Sequence, residues 1–304
     1  MKKTVIATAV LAMAASAPAI AAAPNVQGGS SNPANVQVGA SNFPASAPAG
    51  FAGISMQRAD GAWSGYVNIA AGPINQVTSA ATANAAGPFY ANLPGTTNPI
   101  AQVWYNDQNT VANVYSLRQV TYTQAAPWPQ FGGLVVGQLK GNTPGSAVYF
   151  GEWSPTVSGT PNQGDSTDLN MANAGRTVWY VGDNAVTSMP TALINAQYSV
   201  VGIRQTGVGT NLPHAPELYT GTLTANYVSG FGVISGSIVR GSDSVNFAGT
   251  NISSNGTFSN GSNTINGRFY NGTAALAGIY TGGSGPADHV AFGGNRTSVG
   301  LLIP

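Results

Sequence analysis

Residues able to do chemistry are scarce in this chain. It has two histidines, His214 and His289, no cysteine and nine acids among 304 residues. A nucleophilic triad needs an imidazole held against a serine or another nucleophile, and neither histidine is accompanied by a nucleophile-elbow motif. Glycoside hydrolysis needs two facing carboxylates. Asp107, Glu152, Asp165, Asp168 and Asp183 show no such pairing, and Asp165 and Asp168 fall in a turn or helix-cap context. Gly207-Val208-Gly209 lacks the strand, glycine turn and helix of a nucleotide site. Zero cysteine excludes disulfides, thiolate metal sites and lipid attachment through an N-terminal cysteine. No catalytic residue emerges, and a non-enzyme is expected.

The elements that must position any site are read from composition and period. Only 6% of residues are charged, against about a quarter in ordinary soluble domains, so Asn, Gln, Ser and Thr must cover the surface. A near-neutral surface without a basic run offers nothing for nucleic acid. Met1-Lys2-Lys3, the apolar run 4–15 and the Ala19-Ile20-Ala21 cleavage pattern read as a signal peptide over 1–21. The run is short, Ala-rich and broken by Pro18, so no membrane anchor is expected. Without Lys2 and Lys3 the balance is eight basic to nine acidic residues.

Residues 22–50 show no period and read as a flexible leader. Strand patterns follow at 63–69, 101–105, 114–120, 134–139, 147–153, 177–181 and 196–204, with a turn at Asp183-Asn184 and a short helix around 166–174. These make 51–210 a β-rich handle domain, and the Gly- and Pro-rich stretch before Leu218 gives a linker at 211–217. Eight short segments then run from 219 to 303, separated by Gly, Asn, Ser and Asp turns. Eight strands is the number at which a closed barrel just fills with side chains, and closure removes exposed edges. The expected fold is all-β: a handle followed by an eight-stranded antiparallel barrel over 218–304.

The second half also resembles a known family. Tyr219-Thr220-Gly221-Thr222-Leu223, Gly267-Arg268-Phe269-Tyr270-Asn271-Gly272, Ala277-Gly278-Ile279-Tyr280 and Phe292-Gly293-Gly294-Asn295-Arg296 look like the C-terminal barrel of hemophilin-type secreted proteins. More distantly they resemble the barrel of transferrin-binding protein B. Thr177–Asn184 and Tyr198–Ile203 look like the end of that family's handle. The resemblance implies a secreted haem-binding hemophore for iron acquisition. It also implies a barrel recognised by a surface lipoprotein assembly modulator-type outer-membrane translocon, and a TonB-dependent receptor to accept the cargo.

Haem iron takes His most often, with Met, Tyr or Cys as alternatives. Hemophilins are expected to ligate through a His in the handle, whereas 51–204 has none. His214, stiffened between Pro213 and Pro216, is the histidine placed to face an inter-domain cleft, while His289 reads as a turn-side polar residue. Met189 and Tyr180 are the further cofactor-binding candidates, alongside Met56, Met171, Tyr66, Tyr105 and Tyr122. Trp104, Tyr105, Trp128, Phe131, Trp153, Trp179 and Tyr180 could line a porphyrin pocket, or form any β-sheet core. The missing handle histidine keeps a second reading open. In that reading the same barrel serves a host-interaction or colonisation protein that binds a protein or glycan.

Overall fold

A computed structural model describes residues 24–43, 47–57, 61–81, 89–92, 97, 99–120, 132–155, 173–204 and 217–304. The signal peptide, all but 173–174 of the helix around 166–174 and most of the linker fall outside them. The fold is all-β apart from a π-helical turn at Ala70–Ile74, helix α1 (Asn75–Ala81) and a 3-10 turn at Pro286–Asp288.

In the N-terminal half the strands are β1 (Gln27–Ser30), β2 (Val36–Ala40), β3 (Ala52–Met56), β4 (Val67–Asn68), β5 (Phe89–Asn92), β6 (Pro99–Asn106), β7 (Ala112–Gln119), β8 (Gly133–Leu139), β9 (Val148–Ser154) and β10 (Thr177–Gly182). Seven of them form one antiparallel sheet in the order β1-β10-β9-β8-β7-β6-β5, and β2-β3-β4 form a small second sheet. Every residue of β9 and β10 is buried. Both faces of the large sheet are therefore covered, which is why these segments read as continuous apolar runs without clean alternation. On one face Val36, Ile54, Met56, Ile69 and Val77 pack against Leu117, Tyr149, Trp153 and Trp179. On the other, Val135, Val148, Phe150 and Tyr180 pack against Val201, Tyr270, Ala277 and Ala291 of the second half.

That second half contains β11 (Ala192–Ile203), β12 (Tyr219–Val228), β13 (Phe231–Arg240), β14 (Asp243–Asn246), β15 (Thr250–Ile252), β16 (Thr257–Asn260), β17 (Ile265–Tyr270), β18 (Ala275–Tyr280), β19 (Val290–Ser298) and β20 (Leu301–Ile303). β11, β12, β13, β15, β16, β17, β18 and β19 each pair with the next, and β19 pairs back to β11, which closes an eight-stranded barrel. Its interior is filled by Tyr198, Leu223, Phe247, Phe258, Phe269 and Phe292 among others. The Phe247 and Phe292 rings meet edge-on at 5.0 Å, and Phe258 meets Phe269 at 5.5 Å, the tilted geometry that aromatic quadrupoles favour.

Three expectations are corrected. The leader 22–50 is not free: β1 joins the large sheet along β10 and β2 joins the small one along β3. Its Gly-rich texture reflects contact, since a Cβ on Gly28 would lie 2.1 Å from the Tyr180 carbonyl oxygen. The barrel does not begin at 218, because β11 is hydrogen-bonded into the ring on both edges. The expected strand 63–69 contracts to the two residues of β4, after which the chain turns helical.

The halves are also joined by polar groups. Arg176 and Glu152 form an ion pair with both side chains fully buried. The same guanidinium donates to the carbonyl oxygens of Pro286 and His289, the latter at 3.0 Å. The Tyr270 hydroxyl donates to the Gln27 carbonyl at 2.9 Å, and the Asn295 amide donates to the Lys140 carbonyl at 2.9 Å.

Candidate binding groove

At the end of the barrel where the chain terminates, β20 leaves a strand edge open. Leu301–Ile303 pairs with Ala192–Ile194 of β11 on one side. On the other side, the β18 ladder of β19 stops at Asn295 opposite Ala275. No strand among the described residues pairs with the outer edge of β20. Unpaired backbone donors and acceptors in an extended strand are a template for another chain.

Beside this edge lies an open groove of about 500 Å³, lined by 184–190, Gly272, Thr273, Leu302 and Pro304. Its walls are held by hydrogen bonds. Val186 N–H donates to Phe269 O at 3.0 Å, Met189 N–H to Ser254 O at 2.8 Å, and the Arg268 guanidinium to Val186 O at 2.8 Å. The Thr191 hydroxyl donates to Pro304 O at 3.0 Å and fixes the end of the chain. Among the described residues no charged side chain lines the groove.

The register places a second surface on the other face of this wall, since Leu302 of the groove and Ile303 alternate to opposite sides of β20. Ile303 lies opposite Ala192, Ala192 opposite Val228, and Val228 opposite Phe231. Partners in register point to the same face of a sheet. Phe231 is 66% exposed and Val228 52%, with Val233, Leu301 and Ile303 exposed nearby. Contiguous exposed apolar surface beside polar neighbours marks an interaction site. Sequence reading missed this patch, because each residue belongs to a strand pattern and only the cross-strand register shows which lie in one row.

Of the residues expected to hold haem, Met189 and Tyr180 lie within the described residues and pack in different apolar clusters. Met189 borders the groove with most of its side chain in the barrel core. Tyr180 packs in the layer between sheet and barrel, where burial pushes its phenol up to about 12. His214 lies outside the described residues, as do Met171, Tyr122, Trp128 and Phe131. Met56 is core, Tyr66 donates to the Gln37 side chain at 3.2 Å, and Tyr105 stacks on Tyr115 at 5.0 Å. Trp104 and Tyr180 occupy one face of the large sheet and Trp153 and Trp179 the other, so these aromatics do not line one porphyrin plane. The alternation of strand side chains enforces that split.

His289 is more enclosed than expected. It is half-buried, with Nδ1 lacking a hydrogen-bond partner, and burial followed by the nearby Arg176 charge lowers its pKa. Among the described residues no group of three His, Cys, Asp or Glu side chains could hold a metal ion. No helix among them is long and apolar enough to cross a membrane.

No family model matches the chain. Among solved structures it is similar to the crystal structure of HpuA from Kingella denitrificans in complex with human haemoglobin. That match has 15% identity and a TM-score of 0.46, covering 91% of this chain and 89% of the other. It is also similar to the apo crystal structure of the haemoglobin receptor HpuA from Kingella denitrificans, at 16% identity and TM-score 0.43, covering 92% and 89%.

Proposed function

We propose that this chain is an exported, non-catalytic binding protein that engages a haem-carrying host protein at its surface. The observation that carries the reading is the groove along the open β20 edge, whose described lining includes no charged side chain, with a second exposed apolar surface at Val228 and Phe231 on the outer face of the barrel wall. A strand of a partner can add to such an edge through main-chain hydrogen bonds, with alternate side chains seated in the groove. The filled barrel interior favours recognition outside the barrel. Export through a barrel-recognising translocon and delivery to a TonB-dependent receptor follow from the hemophilin resemblance and belong to the same proposal.

Capture of free haem is the second reading, favoured by the Met189 thioether at the groove wall, a known iron donor. The two are separated with full-length protein on a biosensor. Human haemoglobin as the probe should bind, and Leu302→Lys and Phe231→Ser should each weaken binding at least tenfold. Haem added alone should give no saturable Soret shift. A stoichiometric Soret shift with haem, lost in Met189→Leu, would establish the second reading instead.

A further inference from the structure

A second cavity of about 260 Å³ opens between the small sheet and the large one, and its Asp183 directly precedes Asn184 of the groove. It is lined by Pro48, Phe51, Ala52, Asn68, Ala70, Ala71, Pro144, Tyr149 and Asp183. Asp183 is 1% exposed and sits just past β10. Its Oδ1 accepts the Ala52 N–H at 2.7 Å and its Oδ2 the Gly145 N–H at 3.0 Å. Those two bonds, with the Ala147 amide also close to the carboxylate, fix the group and leave part of its lone-pair capacity towards the cavity. Among the described residues no Lys, Arg or His lines the cavity and no basic side chain forms an ion pair with Asp183. A buried carboxylate is normally paired, and this one faces a cavity instead.

The wall chemistry narrows the guest. Proline, alanine and phenylalanine carbons dominate, with the Tyr149 and Phe51 rings available to a cation. A divalent metal would need several oxygen ligands, and here one carboxylate is offered. We infer that this cavity receives a single organic cation, an ammonium or guanidinium group carried on a short apolar stem. The guest would supply the missing counter-charge while its stem covers the apolar wall. Desolvation raises the Asp183 pKa, with the backbone amides of Ala52, Gly145 and Ala147 opposing it, and an incoming cation would lower it again. Tyr149 is the other titratable side chain lining the cavity among the described residues, and burial, then the Asp183 charge, hold its phenol towards the neutral form.

The test uses the full chain and amide NMR, following Ala52 and Gly145, whose N–H groups report directly on the carboxylate. Propylammonium should shift both signals saturably, with Kd of about 1 mM, or roughly −4 kcal/mol, and binding should weaken as pH falls and Asp183 protonates. n-Propanol should leave them unmoved. Asp183→Asn should abolish the response. Ala71→Leu, which fills the cavity and keeps both hydrogen bonds to Asp183, should weaken binding at least tenfold. The inference is overturned if propanol acts like propylammonium, if no shift saturates, or if Ala71→Leu binds like wild type. This result stands apart from the haemoglobin experiment, whose variants lie in the barrel.

Discussion

Glu152 shows how much of a residue's role depends on a partner distant in sequence. Its carboxylate pairs with Arg176, 24 residues on, and both side chains are out of reach of water. Removing one partner from a buried pair leaves the other charge uncompensated. Glu152→Gln should therefore lower stability by about 3–5 kcal/mol in denaturant unfolding, and a loss under 1 kcal/mol would mean that water reaches Arg176. In sequence, Glu152 is merely one of nine acids, and nothing local announces its arginine. The tyrosines make a second residue-scale case. Burial raises the phenols of Tyr115 and Tyr180 to about 12. A group whose folded pKa exceeds its unfolded value stabilises the fold fully below the unfolded pKa and loses that contribution as pH rises through the folded one. Stability should accordingly hold to about pH 10 and fall between 10 and 12, in step with phenolate absorbance at 295 nm. Phenolate of Tyr115 or Tyr180 appearing near 10, read as the difference between the wild type and Tyr115→Phe or Tyr180→Phe, would contradict that burial.

At the scale of elements, the sequence shows where strands are more readily than which strands belong together. Patterns at 101–105, 134–139 and 177–181 fall inside β6, β8 and β10, and 114–120 overlaps β7, which ends one residue earlier. These are runs of β-branched and aromatic residues between turn residues, a local signal. β1 was missed because its two glycines carry no side-chain period and are selected by close packing on Tyr180. β11 was assigned to the handle because the Gly- and Pro-rich stretch after it looks like a domain junction, although a closed ring needs it beside β12 and β19. A fragment 218–304 lacks that stave and leaves two edges unpaired, so it should give no cooperative thermal transition, whereas 185–304 should give one by circular dichroism. Cooperative melting of 218–304 would show that the ring closes without β11. Within the ring, Phe258→Ala should cost about 3–5 kcal/mol, since Phe258 contacts both Phe269 and Phe292.

Over the whole molecule, one apolar layer joins sheet and barrel. The Phe150 ring lies 2.5 Å from where a Cβ on Gly293 would sit, so only glycine lets the handle approach the barrel there. Gly293→Val should force the two halves apart and split a single calorimetric transition into two, while a single unshifted peak would mean that the halves unfold independently of this contact. Such a joined body presents its groove on a fixed frame, at the opposite end of the barrel strands from the Arg204, Asp243 and Asp288 cluster. The all-β class and the barrel were legible in turn spacing. The groove was not, since it is assembled from 184–190, 272–273 and the last residues of the chain. Its role as a protein-docking edge is tested most directly by biosensor binding of human haemoglobin to the full-length protein and to Leu302→Lys, with haem titration of the same samples. The account predicts saturable haemoglobin binding that falls at least tenfold in the variant, and no Soret shift with haem alone. Undiminished binding by Leu302→Lys, or no binding by the wild type, would contradict it.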